Sequence, residues 1–320
     1  MPNTSVITIE GASALSGWGL LKQPQHPLPT ESCLQEWRIG GQVWPVSPLA
    51  PEAEKQVQEL AAHKPYHRLD RTVLMAIAAA RHAYQPQVDP DARVGINIGS
   101  SRGATATWEH YHQTYLEHGA EKLAPHASPT TTLGNVSSWV MQDLQLQGAG
   151  LSHSITCSTA IQALANAEAW LKAGKADAFL AGGTEAPLTP FTLAQAQALG
   201  IHSKESPETG YPSQPLGKAD QNAMVLGEGA AAFWLMPRSR DHLLQNSTQA
   251  VLEATGFGHE HLQGFAGIDE AGTAFQRAMQ MALDEQETGF YVDLVLMHAP
   301  GTSKGDKAER HAVRHIFGEH

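Results

Sequence analysis

Cysteine is scarce in this 320-residue chain, where Cys33 and Cys157 are the only two. Two thiols exclude a disulfide framework. Charge is also sparse, at 17% of residues, and it is unbalanced: 21 Lys and Arg stand against 32 Asp and Glu. The resulting net charge of −11 argues against a nucleic-acid or anionic-membrane partner. No apolar run approaches the length of a membrane span. Met1 to Gly19 carries neither a charged n-region nor an apolar h-region, which reads as a cytoplasmic protein. The 17 histidines are scattered. His110/His112 and His259/His261 are i, i+2 pairs that point apart on a helix, and no acidic or cysteine partner completes a metal site. No metal is expected.

Apolar residues are plentiful, at 42%, enough for one large domain or two smaller ones with ample core. The most informative stretch is Ser152 to Glu185, SHSITCSTAIQALANAEAWLKAGKADAFLAGGTE. Ser154 to Cys157 closes a strand-like run. Ser158 to Ala173 follows with Ile161, Leu164, Ala165 and Ala169 at helical spacing. Ser158 and Thr159 are suited to cap its start, and Gly174 to end it as a left-handed residue. A strand over Ala178–Ala181 then meets a tight Gly182-Gly183 turn. Cys157 therefore sits at a strand-to-helix junction, where the helix dipole lowers a thiol pKa from its free value of about 8.5. A buried structural cysteine is the alternative for a single Cys in an apolar run.

This segment, with its Cys, small polar pair, helix and A-G-G-T-E-A turn, resembles the nucleophile region of the β-ketoacyl-acyl-carrier-protein synthases of the thiolase fold. Further matches lie along the chain. Ser5–Glu10 alternates as a strand and breaks at Gly11, leading to a Gly17/Gly19 turn. Pro24–Ala53 reads as surface loops with one short strand, and Glu54–Ala62 and Asp70–Tyr84 read as helices, the second buried. Arg93–Gly99 is a strand ending in a glycine turn. Helices are expected over Ala104–Gly119 and Leu133–Leu144, with a turn at Pro125–Thr132 between them. Asn135 matches an asparagine the family often carries. Alternating strands and helices imply a mostly parallel sheet covered on both faces.

After Glu185, Pro187–Gly200 reads as a loop and short helix and Ser203–Gln221 as a long surface loop. Leu226-Gly227-Glu228-Gly229-Ala230 resembles the family's L-G-E-G-A segment, with Ala223 and Met224 in place of the usual Gly-Phe. The resemblance implies that Met224 lines and reshapes the acyl pocket; a plain core substitution is the alternative. Gln249–Gly258 reads as a strand and Gly272–Glu285 as an amphipathic helix. Val292–Met297 reads as a strand ending at His298, in a position typical of catalytic groups in α/β sheets. His298, Gly301, Thr302, Gly305, Asp306, Ala308 and Glu309 match the family motif H-G-T-G-T-x-x-G-D-x-x-E. Ala299 and Pro300 depart from it. The resemblance implies that Pro300 removes one hydroxyl contact to the pantetheine arm, while Thr302 keeps the other.

The resemblance implies a thiolase-like layered α-β-α-β-α fold with an incomplete second half. Residues 1–245 would form the N-terminal synthase half with Cys157, and 246–320 a partial C-terminal half with His298. It also implies a decarboxylative Claisen condensation in fatty acid or polyketide synthesis. Cys157 takes the acyl group, and His298 stabilises the enolate of a malonyl thioester. Thr302 and Met224 contact substrate, and Asp306 and Glu309 organise the His298 loop. No resident cofactor is implied, because substrates ride on the phosphopantetheine of an acyl carrier protein. An acidic carrier would need a local basic patch. Partners are that carrier and a second subunit, in a homodimer or in a heterodimer with another ketosynthase-like chain. The family's S-x-K-x-x-x-G-H and Gly-Phe-Gly-Gly segments are not reached before His320. The expectation is therefore a longer protein or one that leans on a partner, with little condensation by this chain alone. The competing reading is a non-condensing partner subunit of the chain-length-factor type, against which Cys157 argues. A thiolase is a weaker third reading, since its nucleophile lies nearer the N-terminus.

Overall fold

The computed structural model describes residues 5–22, 31–39, 41–86, 89, 91–208, 210–217, 221–245, 249–261, 267–286 and 291–318. In chain order the elements begin with β1 (Ser5–Ser16), β2 (Gly19–Leu21), β3 (Gln35–Ile39), β4 (Gln42–Ser47), α1 (Pro51–Ala62), α2 (Arg71–Ala83) and β5 (Val94–Gly99). Next come α3 (Thr105–His118), α4 (Ala127–Thr131), α5 (Asn135–Leu144), β6 (Ala149–Leu151), α6 (Thr159–Lys172) and β7 (Ala178–Glu185). The last are α7 (Pro190–Ala198), β8 (Leu226–Gly227), β9 (Gly229–Ser239), α8 (Arg240–Gln245), β10 (Val251–Leu252), α9 (Thr273–Asp284) and α10 (Ser303–Phe317). Two compact units result. The first comprises Met1–Leu34, Ser47–Leu193 and Gly227–Leu252, and the second Gln35–Val46, Ala194–Leu226 and Glu253–His320. Among the described residues, no helix is long and apolar enough to cross a membrane.

The first unit is built on a seven-stranded sheet, ordered β10-β1-β9-β7-β5-β6 with β2 paired to β1. The β5/β7 and β5/β6 pairs are parallel, whereas β9 runs antiparallel to both β7 and β1. Both faces are covered. On one face Ile96, Ile98, Leu180 and Trp234 pack with the apolar residues of α2 and with Val136 and Val140 of α5. On the other, Phe179, Ala181 and Leu235 meet Ala163, Ala167 and Leu171 of α6. Helix α2 is buried from Thr72 to Ala80, as its nearly unbroken apolar run requires. Its N-cap, Asp70, accepts the Thr72 N–H at 2.8 Å and the Thr107 N–H at 3.0 Å, so one carboxylate also anchors the start of α3.

Several expected boundaries move, and close packing is the reason. Strand β1 does not break at Gly11 but runs on to Ser16 through a register irregularity between Ile9 and Gly11. A Cβ at Gly11 would lie 2.1 Å from the Ala83 carbonyl oxygen, so glycine is there to admit the end of α2. Strand β7 likewise continues through Gly182 and Gly183 to Glu185 instead of turning. A Cβ on Gly182 would sit 2.0 Å from the Ala231 oxygen of β9, and one on Gly183 would sit 2.8 Å from Ala160 Cβ of α6. Helix α1 starts at Pro51, ahead of Glu54, because proline suits the first helical turn. The stretch expected as a turn at Pro125–Thr132 holds the short α4.

In the second unit β3 and β4 form an antiparallel hairpin from Gln35↔Val46 to Ile39↔Gln42, with Trp44 and Val46 buried. Surface loop with one strand was the expectation there; two tryptophans facing across the hairpin, Trp37↔Trp44, explain the second strand. The backbone at Gly256 and Gly258 runs against α9, where a Cβ would meet the Ala278 and Ala274 oxygens at 1.9 Å each. Helix α10 approaches the N-cap of α9 at Gly272 in the same manner. The expected strand at Val292–Met297 is not formed. These residues are irregular, with Leu294 and Leu296 exposed, and no described strand supplies a ladder for them. The strand expected over Gln249–Gly258 shrinks to Val251–Leu252, which pairs with β1.

The glycine contacts make a direct prediction. Gly182→Ala forces a methyl group against β9 backbone and should destabilise the first unit by about 1–3 kcal/mol. A lower urea midpoint with unchanged slope would show it.

Candidate functional site

The parallel strand β6 ends at Leu151, so Ser154 to Cys157 do not close a strand as expected. Ser152 to Ser158 form an irregular link that closes in a tight turn, in which Thr156 adopts a left-handed φ of 45°. Two residues after Cys157, α6 begins. Ser158 is the N-cap residue but makes no side-chain cap bond; its hydroxyl donates back to the Ile155 carbonyl at 2.9 Å. Thr159 holds the turn from the other side. Its hydroxyl donates to the Thr156 carbonyl at 2.7 Å and accepts the Ile155 N–H at 2.9 Å. The result is an exposed Cys157 at the positive end of a helix buried along one face. Gly174 closes α6 in the left-handed region, with Lys175 N–H bonded to the Trp170 carbonyl at 2.9 Å.

Two loops support this turn. Gly99 ends β5, and a Cβ there would lie 2.3 Å from Thr159 Cγ2 and 2.9 Å from the His153 carbonyl oxygen. The next residues bond outward: Ser100 N–H donates to the His153 carbonyl at 3.3 Å, and Ser154 Oγ donates to the Ser101 carbonyl at 2.9 Å. Ser101 N–H in turn donates to the Glu185 carboxylate at the end of β7. Burial raises Glu185 above the usual carboxylate range, against the lowering pull of its Ser101 and Ser100 bonds and of Arg102. Neither Glu185 nor His153 stood out in the sequence as a site residue. The A-G-G-T-E-A turn was the only signal for Glu185, and His153 carried none.

The other candidate residues lie in the second unit. His298 is exposed, half-buried Thr302 is the N-cap of α10, and half-buried Met224 lies in the segment bonded to the same loop. Two buried carboxylates of α10 fix that loop by its backbone. Glu309 accepts the His298 N–H at 2.6 Å and the Ala299 N–H at 2.8 Å. Asp306 accepts the Gly301 and Thr302 N–H groups at 3.2 and 3.1 Å and the Leu216 N–H at 2.8 Å. The Met224 segment joins through Ala223 N–H to the Gly301 carbonyl at 2.7 Å, and Met224 itself bonds Ile201 and Ser203. Gly301 has a φ of 84°, and a Cβ on it would lie 2.7 Å from the Ala223 oxygen. Ala299 also has a positive φ, 32°. Met224, His298, Thr302, Asp306 and Glu309 therefore gather in one bonded cluster, while Cys157 belongs to the first unit. Among the described residues, no group of His, Cys, Asp and Glu could hold a metal ion.

Residues 50–241 match the family model of the β-ketoacyl synthase N-terminal domain, and 249–320 match that of its C-terminal domain. The chain belongs to the β-ketoacyl synthase family. A 3-oxoacyl-[acyl-carrier-protein] synthase 2 of Vibrio cholerae is 28% identical over 269 residues, covering 82% of this chain and 64% of that protein. A putative polyketide β-ketoacyl synthase 1 of Streptomyces halstedii is 27% identical over 331 aligned residues, 98% of this chain and 76% of that one. The structure of the ishigamide ketosynthase/chain length factor superposes with a TM-score of 0.78 at 18% identity, over 98% of this chain and 78% of its own. The fold is thus the thiolase-like α/β fold of the ketosynthases.

The loop geometry can be tested. Glu309→Gln takes away one of two acceptors for buried N–H groups and should lower stability by about 1–3 kcal/mol. Ala299→Gly, which relieves the positive φ, should raise it by about 0.5–1 kcal/mol, the strain relieved less the chain entropy that glycine adds. Thermal or urea unfolding of the two variants checks both signs.

Proposed function

We propose that this chain is a condensing ketosynthase in which Cys157 is the acylated nucleophile. The carrying observation is the left-handed turn at Thr156, which exposes the thiol at the start of α6 while its own backbone stays bonded. A nucleophile of this kind needs access for a thioester and a positive field for the thiolate, and a helix N-terminus supplies that field.

Cys157 Sγ attacks the carbonyl of a carrier-bound acyl thioester, and the carrier thiol leaves. A malonyl thioester then loses CO₂, and the electron pair of the broken C–C bond becomes its enolate. That carbanion attacks the acyl-Cys157 carbonyl, releasing the thiolate and leaving a β-ketoacyl chain on the carrier. His298 hydrogen-bonds the extender thioester oxygen as enolate charge develops. Its loop is fixed by Glu309 and Asp306, so the imidazole is presented from a rigid backbone. Thr302 contacts the pantetheine arm, and Met224 shapes the acyl pocket. The partner for delivery is an acyl carrier protein, in keeping with the name of the Vibrio relative, and a second ketosynthase-like subunit completes a homo- or heterodimer.

A second reading draws support from the ketosynthase/chain length factor among the similar structures: a subunit that shapes the pocket of a partner without condensing. One assay separates the two. The protein, alone and mixed with a partner synthase, is given acyl- and malonyl-carrier. Cys157→Ser should abolish its condensation, and His298→Ala should cut decarboxylation by about 10²–10³ while leaving Cys157 acylation intact. Condensation that survives Cys157→Ser but needs the partner's own cysteine would establish the non-condensing reading instead.

A further inference from the structure

Strand β5 reads Val-Gly-Ile-Asn-Ile-Gly, and its alternation sorts two faces. Val94, Ile96 and Ile98 enter the core with Trp234, whereas Gly95 meets the Phe179 ring and Gly99 meets Thr159 of α6. Asn97 lies between the two glycines on the α6 face. It is 0% exposed, and neither its Oδ1 nor its Nδ2 has a hydrogen-bond partner among the described residues. A buried amide without partners is strongly disfavoured, so such a group marks a place where something else bonds it.

His153 presents the complementary deficiency. Its Nε2 lies 3.1 Å from the Thr159 carbonyl oxygen, and a carbonyl can only accept, so Nε2 carries the proton. Nδ1 is then a lone-pair acceptor, and it too is buried without a partner among the described residues. Burial lowers the His153 pKa, which favours the neutral imidazole. The His153 ring reaches the same face of β5, since a Cβ on Gly99 would be 3.5 Å from His153 Cε1. Around Asn97 the neighbours along the strand are Gly95 and Gly99, and its register partner on β7 is Ala181. Gly95 and Gly99 admit the Phe179 ring and Thr159 Cγ2, and the register partner on β6 is Leu151, so the amide is enclosed, and a water molecule offers the two donors and two acceptors that it and the imidazole nitrogen lack.

We propose that Asn97 and His153 hold an ordered water beneath the start of α6, and that His153 is a positioning residue for the Cys157 turn through its bond to Thr159. Thr159 is the side chain that closes that turn, so a change at His153 is transmitted to the thiol without His153 touching substrate. The positioning role rests on reading Cys157 as the nucleophile; the water and the tautomer do not.

The test has two arms. On the wild-type protein, a high-resolution crystal structure should show water within hydrogen-bond distance of Asn97, and ¹⁵N NMR should show His153 as the Nε2–H tautomer. Absence of that water, or an Nδ1–H tautomer, overturns the proposal without any variant. In the second arm, iodoacetamide labels Cys157 in folded variants. His153→Leu should slow labelling about threefold to tenfold, the size of one lost hydrogen bond, and His153→Gln, whose amide still donates, should restore most of the rate. Equal rates in His153→Leu and wild type overturn the positioning role. If labelling behaves as stated but thioesters fail to acylate Cys157, the functional reading falls and this inference stands.

Discussion

A single hydroxyl, that of Thr159, carries the architecture around Cys157. A non-glycine residue in the left-handed region costs about 1–2 kcal/mol, and Thr156 occupies it. Thr159 offsets that cost by donating to the Thr156 carbonyl and accepting the Ile155 N–H, two bonds worth about 1 kcal/mol each. Because Thr159 is also the first residue of α6, the turn and the helix dipole are tied to one anchor. Gly99 must lack a side chain for Thr159 to reach that position. Strand β5, the turn and the helix are in this way mutually dependent.

The second unit solves a related problem differently. An exposed histidine on an irregular loop would sample many orientations, yet the His298 loop has most of its amides bonded. Asp306 and Glu309 are buried acids whose oxygens are spent on backbone N–H groups. Both project from the first two turns of α10, so the helix acts as a rigid frame for the loop before it. Together with the bonds from Ala223 and Leu216, this makes loop and frame one cooperative piece.

Much of this was legible in the sequence. Ala-rich, apolar periodicity marked α2 and α6, and the resemblance of the His298, Asp306 and Glu309 segment to the family motif marked a loop that these acids organise. What could not be read were features set by approach across space. Gly11, Gly182 and Gly183 look like turn residues, but each is required by a neighbouring backbone or side chain far along the chain. The Val292–Met297 pattern is strand-like, yet alternation cannot supply a ladder partner. The polarity of Asn97 within an apolar strand was a visible signal, though its meaning depends on His153, more than fifty residues away.

The central claim is that Cys157 is the residue that accepts an acyl group. Incubation with an acyl-carrier thioester, followed by peptide mass spectrometry, tests it most directly. The account predicts the acyl mass on the peptide holding Cys157 and an unmodified Cys33. Acylation of Cys33 alone, or an unmodified but alkylatable Cys157, would contradict it.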